Sequence, residues 1–85
     1  MNKYRIQFLA SCPNGDGEIA YTLSIEHDEM IMVEDIIEVV RGIAAGFHED
    51  IADKLAKQLP GVHTMTAVHR GVGITTIRLA ARSKA

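Results

Sequence analysis

The apolar residues of this chain change period twice, and that change limits the folds open to it more than any other feature. From residue 3 to 12 they alternate, with Tyr4, Ile6, Phe8 and Ala10 on one side and Lys3, Arg5 and Gln7 on the other; Leu9 is out of phase. Pro13-Asn14-Gly15-Asp16-Gly17 follows, a run of turn formers in which Gly and Asn take positive φ at little cost. Residues 18 to 26 alternate again, Ile19, Tyr21, Leu23 and Ile25 against Glu18, Ala20, Thr22, Ser24 and Glu26. Two alternating runs around such a turn predict a β-hairpin. From about Glu29 to Leu59 the period lengthens. Val33, Ile36, Ile37, Val40, Ala44, Phe47, Ile51 and Leu55 recur at spacings of three and four, the apolar stripe of a helix. Val62 to His69 and Gly73 to Ala80 then return to strand, separated by Arg70-Gly71-Val72 as a second hairpin turn.

Strand, strand, helix, strand, strand predicts an α+β domain: a two-layer sandwich of ββαββ order, with a four-stranded, mainly antiparallel sheet and a long or broken helix on one face. Asp28 is the expected N-cap of that helix and Pro60-Gly61 its stop. The coherent stripe favours one long helix, but about 28 residues would span roughly 42 Å, longer than such a domain is wide. The alternative is two helices broken near Gly46.

A chain of 85 residues with 47% hydrophobic content is expected to form one domain, 1–85, and not a disordered segment. Lys3 and Arg5 are followed by alternation and not by the continuous apolar run of a signal peptide. No stretch approaches the ~18 apolar residues of a membrane span. The lone Cys12 forms no internal disulfide and points to a reducing compartment, so the expectation is a cytoplasmic protein. The tail from Arg82 to Ala85 is expected to fray.

Charge is distributed unevenly along these elements. Residues 26 to 53 hold nine acids and the single base Arg41, a local net of −8, while the rest has eight bases against Asp16 and Glu18, a net of +6. The helical segment is therefore the acidic part of the molecule, and the strands are mildly basic.

No motif specifies a reaction. His63 and His69 fall on one face of the third strand, but six strand residues place them about 20 Å apart, too far to share an ion. With His27 and His48 they are read as surface or edge residues. Phe47-His48-Glu49-Asp50-Ile51-Ala52 begins like a zinc-protease helix, but Ala52 stands where a second histidine is required. Cys12 has no neighbouring base in sequence and reads as inert. Pro13 to Glu18 lacks the alternating oxygen ligands and distal glutamate of a calcium loop. Arg70-Gly71-Val72-Gly73 precedes no helix and so is not a phosphate cradle. No metal or cofactor is expected.

Two binding readings remain. A nucleic acid could meet Arg5, Gln7 and Arg78 on an outer sheet surface, with Lys3, Arg70, Arg82 and Lys84 nearby; but Tyr4, Phe8 and Tyr21, the aromatics that would stack on bases, fall on the core side. The second reading is a protein partner. On a single helical wheel with Val33 at zero, Gly42 and Gly46 project near about 180° and about 220°, opposite the apolar stripe. Asp35, Glu38, Glu49 and Asp53 surround them, and with Glu34 and Asp50 they are the candidate contacts of a surface suited to a partner with a basic face, such as a nucleic-acid-binding protein. A homodimer formed through an outer sheet face bearing Thr64, Thr66, Val68 and Ile74 or their strand neighbours is a further expectation.

The compact acidic character of the chain, with Cys12-Pro13-Asn14-Gly15, Met30-Ile31-Met32-Val33-Glu34 and Phe47-His48-Glu49-Asp50-Ile51-Ala52-Asp53, resembles the small accessory proteins of phages and prophages, anti-CRISPR and host-inhibitor proteins among them. That resemblance implies a non-enzymatic inhibitor and transfers no site residues. The plan of hairpin, helical segment and hairpin is also similar to tunnelling-fold enzymes, which bind purines or pterins between subunits through an acidic anchor; here Glu18 or Glu26 would take that part. On that likeness the chain is an oligomeric enzyme or small-molecule binder, with His63 or His69 beside a carboxylate.

Overall fold

The computed structural model describes residues 1–80. The sheet is built from β1 (Asn2–Ser11), β2 (Glu18–His27), β3 (Val62–His69) and β4 (Val72–Leu79), and the helices are α1 (Val33–Arg41) and α2 (His48–Gln58). The fold is α+β, with one antiparallel sheet in the order β1-β2-β3-β4 and two helices between the hairpins. The element order is thus ββααββ where ββαββ is the sequence expectation. No helix among the described residues is long and apolar enough to cross a membrane. Arg82 and Lys84, and the fraying expected from Arg82 onward, lie outside the described residues.

The alternation in sequence is realised in the pleat. Ala10, Tyr21, Leu23, Ile25, Met65 and Ala67 point to one face and form a single core with Ile36 and Val40 of α1 and Ile51 and Leu55 of α2. Leu23, Leu55 and Met65 retain no exposed surface. Each such side chain contributes about 1.5–3 kcal/mol of burial. The out-of-phase Leu9 lies on the opposite face and is exposed.

The long helix of the expectation is broken, and the backbone shows why. The longest extent of the molecule is 39 Å, less than a continuous helix would need. Gly42 closes α1 by donating its N–H to the Val39 carbonyl at 3.1 Å, and Ile43 donates to the Val40 carbonyl at 3.0 Å. The chain then turns onto the end of β1: Ser11 donates to the Ala44 carbonyl at 2.9 Å, and Gly46 donates to the Ser11 carbonyl at 3.1 Å. These bonds satisfy backbone groups that a break would otherwise leave bare. At Gly46, φ is +151° and a Cβ would stand 3.0 Å from Ile51 Cγ1, so the break is built for glycine. Asp28 is not the N-cap; α1 starts after Met32, which provides no side-chain cap. The approach to α1 is held instead by Tyr4, whose hydroxyl accepts the Ile31 N–H at 2.9 Å.

Candidate functional site

Both hairpin turns emerge at the same end of the sheet, because β1 to β4 run up and down in sequence order. Strand phase then sets which side chains meet there. Cys12 follows Ala10 by two residues and His69 follows Ala67 by two, so both turn to the helix-covered face. Cys12 is held in a tight loop, its N–H on the Gly17 carbonyl and its carbonyl accepting the Gly15 N–H. That loop folds Asp16 back over the end of β3.

The result is a cluster of three donor types. Cys12 Sγ lies 3.6 Å from His69 Nε2 and 3.8 Å from Asp16 Oδ2. His69 Nε2 donates to Asp16 Oδ2 at 2.6 Å. Arg70 grips the other carboxylate oxygen, its Nε and a terminal nitrogen donating to Oδ1 at 3.1 and 2.7 Å. The Arg70 guanidinium, and after it His69, holds the Asp16 carboxyl below its ordinary range. Arg70 can reach because it sits in the two-residue β3–β4 turn with φ +54°, followed by Gly71 at +82°. The two contacts made by His69 join residues far apart in sequence, 57 positions to Cys12 and 53 to Asp16, which is why Cys12 reads as isolated there: its base comes from the end of β3.

His48, the first residue of α2, borders a cavity of about 40 Å³ together with Cys12 and His69. Both of its ring nitrogens are shut off from solvent without a hydrogen-bond partner. Burial lowers its pKa; the nearby Met65 backbone, outside hydrogen-bonding geometry, offsets only part of this.

His63 corrects the surface reading of the histidines. It is 2% exposed, and its Nε2 donates to the Leu59 and Pro60 carbonyls at 3.0 and 3.1 Å. It thereby satisfies carbonyls at the end of α2. Strand phase places its ring on the core side, where the end of α2 covers it.

The six carboxylates of the helices are all exposed, but they divide between two flanks. Arg78 Nε donates to Asp53 at 2.7 Å and a second nitrogen lies 3.7 Å from Glu49. Asp35 and Glu38 instead border a groove of about 350 Å³ with Met30, Met32 and Gln58. On α2, Gln58 lies about 140° from Asp53 and about 180° from Glu49 at 100° per residue. The acids of α1 and α2 therefore do not make one continuous rim. Glu34 and Asp50 are exposed in the first turns of their helices, where a carboxylate complements the helix dipole.

The basic surface is also divided. Register pairs Arg78 with the buried His63, so Arg78 stands on the helix side of the sheet, whereas Arg5 points to the other face. Ile74 likewise pairs with Ala67 and faces inward, leaving Gly73, Thr75 and Ile77 on the open face. Phe8 and Tyr21 stack at 5.3 Å within the helix-covered side. No protein-family model, no curated protein and no solved structure matches this chain.

Proposed function

We propose that the protein is a non-enzymatic binding module that receives a basic, partly apolar segment of a protein partner in the groove beside α1. The observation that carries this reading is the pairing of exposed methionines with unneutralised carboxylates around one concavity. Met30 and Met32 are 75% and 51% exposed, and Asp35 and Glu38 flank them without an ion-pair partner among the described residues. Flexible thioethers adapt to varied apolar side chains, and the carboxylates select Lys or Arg next to them. Glu34 extends the same acidic edge. Glu49 and Asp53 are answered within the chain by Arg78, so they rank below the α1 acids as partner contacts, and Asp50 ranks with them because it does not line the groove.

A phage-type inhibitor acting on a nucleic-acid-binding protein in the cytoplasm is the narrower form of this reading, since such a target presents the required basic surface. The test is direct. Amphipathic Lys/Leu peptides should bind the parent chain in fluorescence anisotropy, weaken with salt, and lose at least about tenfold affinity against D35K/E38K. E49K/D53K should bind within about twofold of the parent. Equal binding by the parent and D35K/E38K removes the groove from the proposal.

A second reading is favoured by a separate observation. The sheet face away from the helices exposes Leu9, Val68, Ile77 and Leu79, each more than half accessible. An uncovered apolar face of this kind supports homodimer formation. Light scattering that finds only monomer at high micromolar concentration overturns it.

A further inference from the structure

We propose that Cys12, Asp16 and His69 form a three-ligand site for a divalent transition-metal ion of the zinc class, with water in the fourth position. The argument begins with where the donor atoms point. One histidine nitrogen, Nε2, faces both the thiol and the carboxylate. A nucleophile relay needs the two ring nitrogens on different partners, the carboxylate on one and the thiol on the other. The geometry is therefore wrong for a catalytic triad and right for convergence on a single point.

The spacings fit an ion at that point. Metal bonds of about 2.3 Å to sulfur and about 2.0–2.1 Å to nitrogen and oxygen set tetrahedral donors roughly 3.3–3.6 Å apart. The two contacts of Cys12 are 3.6 and 3.8 Å, already close to this. The Asp16–His69 contact, 2.6 Å as a hydrogen bond, must open by less than about 1 Å. A thiolate, an imidazole and a carboxylate together suit zinc or cobalt and not the oxygen-seeking magnesium or calcium.

The outer contacts also fit. Arg70 engages Oδ1 of Asp16 and leaves Oδ2 turned toward Cys12 and His69, which is how a supporting residue orients a ligand. The backbone bonds that close the loop from Cys12 to Gly17 hold two of the ligands before any ion arrives. His48 lines the same small cavity as Cys12 and His69, and both of its ring nitrogens lack a hydrogen-bond partner. On binding, the ion takes the place of the thiol proton, which leaves to solvent. The neutral imidazole moves its hydrogen from Nε2 to Nδ1, freeing Nε2 to ligate. Occupancy would tie the β1–β2 turn to the end of β3.

Cobalt(II) titration of the full chain, read by visible and near-ultraviolet absorption, tests this. The expected result is one ion per chain, tetrahedral d–d bands and a sulfur-to-cobalt charge-transfer band. Zinc should displace the cobalt and raise the thermal midpoint. C12S should lose the charge-transfer band, and C12S and H69A should each bind at least about tenfold more weakly while retaining the parent's circular dichroism. R70A, which removes no ligand, should weaken binding by about tenfold while keeping the same bands. Absence of saturable binding at 100-fold excess cobalt, or identical spectra from the parent and C12S, overturns the site. If C12S unfolds, H69A and R70A decide: parent-like affinity in both overturns it equally.

Discussion

His63 and His69 stand six residues apart on the same face of β3, and their surroundings have little in common. At the start of the strand, His63 is enclosed by the end of α2 and spends its one ring N–H on the Leu59 and Pro60 carbonyls. Its other nitrogen meets no partner at all. At the far end, His69 remains partly open and its nitrogen is shared between a thiol and a carboxylate. The strand supplies the same orientation to both. What differs is the neighbour that tertiary packing brings to each, a helix terminus in one case and a hairpin turn in the other. A histidine on an inward strand position is therefore structural or chemical according to its cover.

The strongest way to break this comparison is at the helix-capped end. Gly61 carries the chain from α2 into β3 at φ +96°, and a Cβ there would stand 2.5 Å from the Glu26 carbonyl. G61A should cost about 3 kcal/mol or more, measured by urea denaturation, because strain and a backbone clash act together. A change near zero would show that this end is looser than the contacts imply.

Next in size is removal of the His63 ring. H63A leaves two helix-end carbonyls without their donor and opens a cavity in the core, for an expected loss of about 2–4 kcal/mol. The pH dependence sharpens the point. Burial lowers the pKa of His63, and of His48 as well, so the folded chain resists protonation that the unfolded chain accepts near pH 6.5. Their contribution is intact above about pH 6.5 and is lost as pH falls from there toward the lowered folded values. Denaturation midpoints should decline through this window, and H63F should flatten the decline. A parent whose stability is constant from pH 7 to 5 contradicts the buried, neutral assignment.

The smallest effect is expected at the open end. H69A removes the part-buried contacts with Asp16 and Cys12 and should shift stability by no more than about 1 kcal/mol in the same urea titrations. A loss matching that of H63A would mean the two ends are energetically alike, and the contrast between them would fail.

Much of the fold was legible in the chain itself. The two alternating runs around Pro13–Gly17 form the first hairpin in the expected phase, and Val62–His69 with Val72–Leu79 form the second. Val40 and Ile51, members of the apolar stripe, are both buried. The helix break was harder to read, because the apolar spacing stays coherent through Gly42 and Gly46. The parallel bridge between Ser11 and Ala45, together with the positive φ of Gly46, explains why the chain leaves the helix there. The acids of the helical segment were visible as a charge excess, yet their division by Arg78 depends on the register of β4 against β3.

The pattern of apolar residues determined the strands and their inward faces, and within the helices the buried Ile36, Val40, Ile51 and Leu55, since periods of two and 3.6 are local properties of the backbone. Val33, Ala44 and Phe47 of the same stripe lie at the helix ends or in the break and are exposed. The meeting of Cys12 with His69 was decided only by tertiary structure. It requires β2 to pair with β3, and that pairing joins segments separated by both helices. Strand order in a sheet depends on which edges close together in space, and no local spacing encodes it.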